Sequence, residues 1–91
     1  MGENDPKMSE AIAFFEQMLQ TMPLDRTSLE FLSVAYEQNG QLDKQRECLV
    51  RLVDSLLQEK DFENAQTIAL KLGSLRDDPA ASAAIERVAA A

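Results

Sequence analysis

Few side chains in this sequence could carry out chemistry. None of its 91 residues is histidine. That removes histidine-based nucleophile triads, most zinc sites and any histidine titration near neutral pH. One thiol is present, Cys48, between Arg46 and Arg51. Nearby arginines favour a thiolate, but this cysteine has neither a histidine base nor a glycine-rich loop. It sits beside an apolar helical stripe, so we read it as a packing residue. A single cysteine also excludes an intramolecular disulfide and a multi-cysteine zinc site. It fits a reducing compartment, and the expected location is cytoplasmic.

Carboxylates are the other reactive groups. Glu59, Asp61 and Glu63 surround one connector, and Asp77 and Asp78 precede another. Paired acids perform proton transfer or hold divalent cations. Neither group follows the calcium-loop spacing. Both lie where a helix begins, and there acids cap free amides and offset the helix dipole. Capping is the expected role. No nucleophile, base and orienting group can be assembled together. The expectation is a non-enzymatic chain with no catalytic residue, no metal and no cofactor.

Charge narrows the partners. Sixteen acids against nine bases give a net charge of −7. Nucleic acid and anionic membrane both select a basic footprint, which this chain lacks, so neither is expected as a partner. No apolar run reaches the length of a membrane span. Met1 to Met8 lacks the basic-then-apolar order of a signal peptide. Pro6 replaces the Ser or Thr of a myristoylation signal after Met1-Gly2. The Ala-rich stop at Ala89 to Ala91 raises the expectation of a piece cut from a longer protein.

The elements that hold these residues follow from apolar spacing. Met8, Ala11, Ile12, Phe15, Met18, Leu19 and Met22 recur at steps of three and four, the stripe of an amphipathic helix over about 6–22. Asp5-Pro6 opens it and Pro23 closes it. Thr27 to Glu30 has the pattern of a capping box at the start of a second helix over about 27–39, and Asn39-Gly40 ends it. A third helix is expected over about 43–58, with Leu42, Leu49, Leu52, Val53, Leu56 and Leu57 inward. A fourth, over about 62–73, carries Phe62, Ala65, Ile68, Ala69 and Leu72 and stops at Gly73. Asp78-Pro79 opens a fifth over about 79–89, with Ala84, Ile85 and Val88 apolar. No segment alternates with period two. The fold class is all-α, one domain over 1–91, with short connectors that turn neighbouring helices antiparallel.

The pattern also repeats. Ala11, Phe15, Met18-Leu19 and Pro23 return 34 residues later as Gln45, Leu49, Leu52-Val53 and Leu57. Leu29, Leu32, Tyr36 and Gly40 return about 33 residues on as Phe62, Ala65, Ala69 and Gly73. In these residues the chain resembles the tetratricopeptide repeat family, whose unit is a helix-turn-helix of ~34 residues. Leu29, Leu32, Ser33, Tyr36, Gly40 and Leu42 match that family's first-helix signature. Ala11, Phe15, Met18, Leu19 and Pro23 match its second-helix signature. Lys60 to Ala65 also resembles the opening of a second helix, so the repeat register after Gln58 stays open. The sequence departs from the family at Leu29 for an aromatic, Gln45 for a small residue and Leu57 for the closing proline.

The resemblance implies a right-handed helical solenoid fragment, used for protein–protein interaction as a scaffold or adaptor. First helices of that family line a concave groove. Carried across, the groove residues are Glu30, Val34, Glu37 and Gln38 in the second helix and Glu63, Thr67, Leu70 and Lys71 in the fourth. Such a groove is acidic with apolar spots and calls for a neutral or basic partner peptide or helix. Glu30 and Val34 replace the residues by which the family clamps a C-terminal carboxylate, so that mode is not expected. The alternative is a self-associating assembly segment, or a regulatory domain of a larger scaffold or secretion-type protein. Tyr36 and Phe15 are expected to pack in the core. Met8, Met18 and Met22 are expected to pack on the second helix.

Overall fold

Aspartates cap the starts of three helices in this chain. The computed structural model describes residues 6–75 and 78–91. Within them five α-helices follow in order: α1 (Pro6–Thr21), α2 (Arg26–Gln38), α3 (Leu42–Gln58), α4 (Phe62–Leu72) and α5 (Pro79–Ala90). A 3₁₀ turn, Gly73–Leu75, follows α4. The described residues are all-helical, without a strand.

Asp25 caps α2 by accepting from the Ser28 amide at 3.0 Å and the Ser28 hydroxyl at 2.6 Å. Asp61 caps α4 through the Asn64 amide at 3.3 Å, and Asp78 caps α5 through the Ala81 amide at 2.9 Å. Each bond satisfies an amide that the helix leaves open, a contribution of about 1 kcal/mol. The capping box expected at Thr27 does not form. α2 begins one residue earlier, and Glu30 instead accepts from Arg26. Asp5 and Asp77, expected near the starts of α1 and α5, lie outside the described residues.

Two turns share one geometry. After α2, Gly40 N–H donates to Glu37 O at 3.1 Å and Gln41 N–H to Tyr36 O at 2.8 Å. After α3, Lys60 N–H donates to Leu57 O at 3.1 Å and Asp61 N–H to Leu56 O at 2.8 Å. Both are Schellman-type ends, which need a left-handed residue. Gly40 takes it at φ +73° without steric penalty, whereas Lys60 takes it at φ +61° against its own Cβ. Gly73 behaves otherwise: at φ −58° it continues the right-handed path, so α4 tightens into the 3₁₀ turn instead of ending on a left-handed glycine.

α3 is the centre of the packing. It touches α2, α4 and α5. Leu49, Leu52, Val53 and Leu56 from α3 meet Leu29, Leu32 and Tyr36 from α2 and Leu72 from α4, whereas Leu42, expected inward, opens the helix at its first turn and is 61% exposed. A fully buried aliphatic side chain contributes roughly 1.5–3 kcal/mol of transfer free energy. Ala65, Ala81 and Ala84 are fully buried, and their small side chains let α4 and α5 come close to the centre. The buried serines are satisfied: Ser33, for example, donates to Glu30 O at 2.9 Å. Among the described residues no buried side-chain nitrogen or oxygen lacks a partner, as a stable core requires.

Candidate partner-binding surface

α1 and α2 enclose an open depression of about 450 Å³. Met8 lines it from α1. Thr27, Glu30, Phe31, Val34, Ala35 and Gln38 line it from α2. The helical period explains the arrangement. Leu29, Leu32 and Tyr36 turn toward α3, which leaves Phe31 and Val34 on the adjoining face. Val34 is 48% exposed. Phe31 stacks on Phe15 with ring centroids 4.7 Å apart, and Phe15 meets Phe14 edge-on at 5.1 Å. An aromatic row therefore runs from the exposed side of α1 into this depression.

The acidic rim is partly neutralised. Arg26 lies at the first turn of α2 and donates to Glu30, Glu59 and Asp61, each at 3.1 Å. It ties the start of α2 to the α3–α4 turn. Its hydrogen bonds to the Glu30 and Glu59 carboxylates hold the Arg26 guanidinium pKa above its ordinary value. The Asn64 side-chain amide, with Arg26 assisting, holds the Asp61 carboxyl below its ordinary value. The acid cluster around Asp61 is thus spent on a cap and an ion-pair node. Asp78 is likewise engaged, by the α5 amide and by Arg46 at 3.6 Å.

A second cleft, of about 380 Å³, opens on another side, between α1 and α3. Tyr36 donates its hydroxyl to the Glu16 carboxylate in its wall. Lys44 Nζ stands 5.6 Å from the Tyr36 ring centroid. Burial, reinforced by that carboxylate, pushes the Tyr36 phenol up from its ordinary pKa. Cys48 lies in the floor of this cleft and is buried. Desolvation pushes its thiol up to about 11, and the nearby positive charge of Arg51 only partly offsets that. A thiol held neutral is a poor nucleophile. The arginines flanking Cys48 in sequence do not activate it.

The expected groove residues divide between two places. Glu30, Val34 and Gln38 come together in the α1–α2 depression, and Glu37 is exposed on the same helix. Glu63, Thr67, Leu70 and Lys71 are exposed on α4, with Leu70 81% exposed. Among the described residues the backbones of α2 and α4 do not approach closely, whereas those of α3 and α5 do. Met8 and Met18 are half-buried, and Met22, just past α1, is 47% exposed. Phe31 and Arg26 were not legible as site residues. Phe31 stands three before Val34, and that spacing on a partly exposed face is the signal that would have found it. Arg26 acts across 33 and 35 residues of sequence, and no local pattern marks such a bond.

Among the described residues no group of three or more His, Cys, Asp or Glu is placed to hold a metal ion. No helix among them is long and apolar enough to cross a membrane. Comparison with known proteins finds no matching family model, no matching curated protein and no matching solved structure.

Proposed function

We propose that this chain is a non-enzymatic protein–protein interaction module of tetratricopeptide-like build. Its α1–α2 depression takes up an apolar side chain from a neutral or basic peptide or helix. The observation that carries this reading is Val34. It is an aliphatic residue left half-exposed beside Phe31 and Met8, in an open depression with Glu30 and Gln38 at its edge. An apolar floor inside a polar rim is the anatomy of a protein-recognition surface. Glu37 and the exposed α4 residues Glu63, Thr67, Leu70 and Lys71 extend the acidic, spotted surface to other parts of the partner. The same reading places the protein in a reducing compartment such as the cytoplasm, where its lone buried thiol persists.

A quantitative pull-down from native lysate tests this, with mass-spectrometric identification and titration of the purified partner. Wild type is compared with a folded Val34→Arg, Glu37→Lys double variant. A partner held by wild type and at least tenfold weakened by the variant supports the surface; equal retention by both would sink it.

A further inference from the structure

The first and last helices are held unequally. α5 packs on α3 and α4, buries Ala81, Ala84 and Val88, and is tied to α3 by Arg87, which donates to Asp54 at 2.9 Å. α1 packs closely, among the described elements, on α2 alone, and none of its residues whose burial is described is buried. Its first turn holds no acid and its last turn no base, the charges that offset a helix dipole. Its attachment rests on half-buried Ile12, Phe15 and Leu19, on the stacking of Phe15 against Phe31, and on the Tyr36 hydroxyl bonded to Glu16. α2 does not depend on α1 for its own place. Asp25 caps its first turn, Arg26 anchors it to Glu59 and Asp61, and none of these partners lies in α1. Between the two helices the Asp25 amide donates to Met22 O at 3.0 Å and closes a short turn. Pro23 disfavours a helical Met22, so the chain breaks direction there.

We propose that α1 is a hinged lid. It lifts from α2 as one unit about the turn at 22–25, while α2 to α5 stay folded around α3. Low burial and few packed neighbours mark the segments that open below the limit of global unfolding. A 16-residue helix is marginal on its own in water, so α1 loses its helical hydrogen bonds once it leaves α2. The Val34 depression and the cleft over Cys48 are both built with α1. Lifting removes Met8 from the first, and Glu16, Leu19 and Gln20 from the second. Docking of α1 therefore decides whether either hollow exists. Control of partner uptake by this lid rests on the binding function proposed above; the lifting itself does not.

Native-state hydrogen exchange of the intact chain, with no partner present and over a series of sub-denaturing urea concentrations, is the test. The amides of α1 are expected to share one protection level, at least about tenfold below that of the α3 core. Their exchange should respond little to urea, because lifting exposes little surface, while exchange in α3 should climb steeply. Leu72→Ala gives a second reading. Leu72 is buried in α4, which does not approach α1 among the described residues, so its truncation weakens the closed and lifted forms alike. Protection in α3 should then fall at least about tenfold while that of α1 is unchanged. The urea series needs no variant and stands if this one does not fold. Three results would overturn the proposal: α1 and α3 exchanging at one level, protection that grades along α1 from Pro6 as in end fraying, or α1 protection falling in step with α3 in Leu72→Ala. A failed pull-down beside the expected exchange pattern would strike the binding function and leave the lid, so the two fail separately.

Discussion

α1 and α3 are nearly equal in length, 16 and 17 residues, and both carry an apolar stripe, yet they are held differently. α3 has neighbours on three sides and buries Cys48, Leu49, Leu52, Val53, Ser55 and Leu56. Among the described elements α1 packs closely on α2 alone, and its Ile12, Phe15 and Leu19 are only half-buried. Apolar content is therefore a poor guide to anchorage in an array of helices. A helix is fixed by how many neighbours its place in the chain provides. The inner helix is enclosed, and the outer one leaves part of its apolar surface, Phe14 above all, in solvent.

The contrast breaks most visibly with core truncation. Leu52→Ala should cost about 2–5 kcal/mol, because Leu52 is enclosed on all sides. Ile12→Ala should cost less, about 1–2 kcal/mol, since part of that side chain already meets solvent. Urea unfolding of both variants measures the pair, and equal losses would erase the distinction between the helices. Tyr36→Phe sharpens it. This change removes the hydroxyl bond to Glu16 while the ring stays packed, at a cost of about 1–3 kcal/mol. Hydrogen exchange should rise across α1 and stay slow in α3; uniform acceleration would mean that the two helices open together. The smallest effect is a gain. Lys60→Gly should stabilise by about 0.5–1 kcal/mol by relieving its left-handed backbone, while Gly40→Ala should destabilise by a similar amount. Opposite signs in thermal melts are expected, and matching signs would contradict the shared turn geometry.

The helices were legible in the sequence because a 3.6-residue period is a local signal. Their starts were partly so. Asp25 and Thr27 are both acceptable caps by residue type, and the choice of Asp25 depended on Ser28 being there to bond its carboxylate. Gly40 announced its turn and Lys60 did not, since lysine carries no preference for the left-handed region. Val34 stood out as an apolar residue away from the α2 stripe. Its apolar neighbours Met8 and Phe31 did not, because their coming together in the depression depends on the packing of α1 on α2. The separation of α2 from α4 was equally hidden. Periodicity states which side of a helix is apolar, but not which helix lies against it.

Cys48 has a practical consequence. The sequence contains no other thiol, and this one is buried in the floor of the cleft at the α1–α2–α3 junction. Its labelling rate is therefore a built-in clock for opening at that junction. Any change that slows or speeds the release of α1 is recorded at one atom, without an introduced probe.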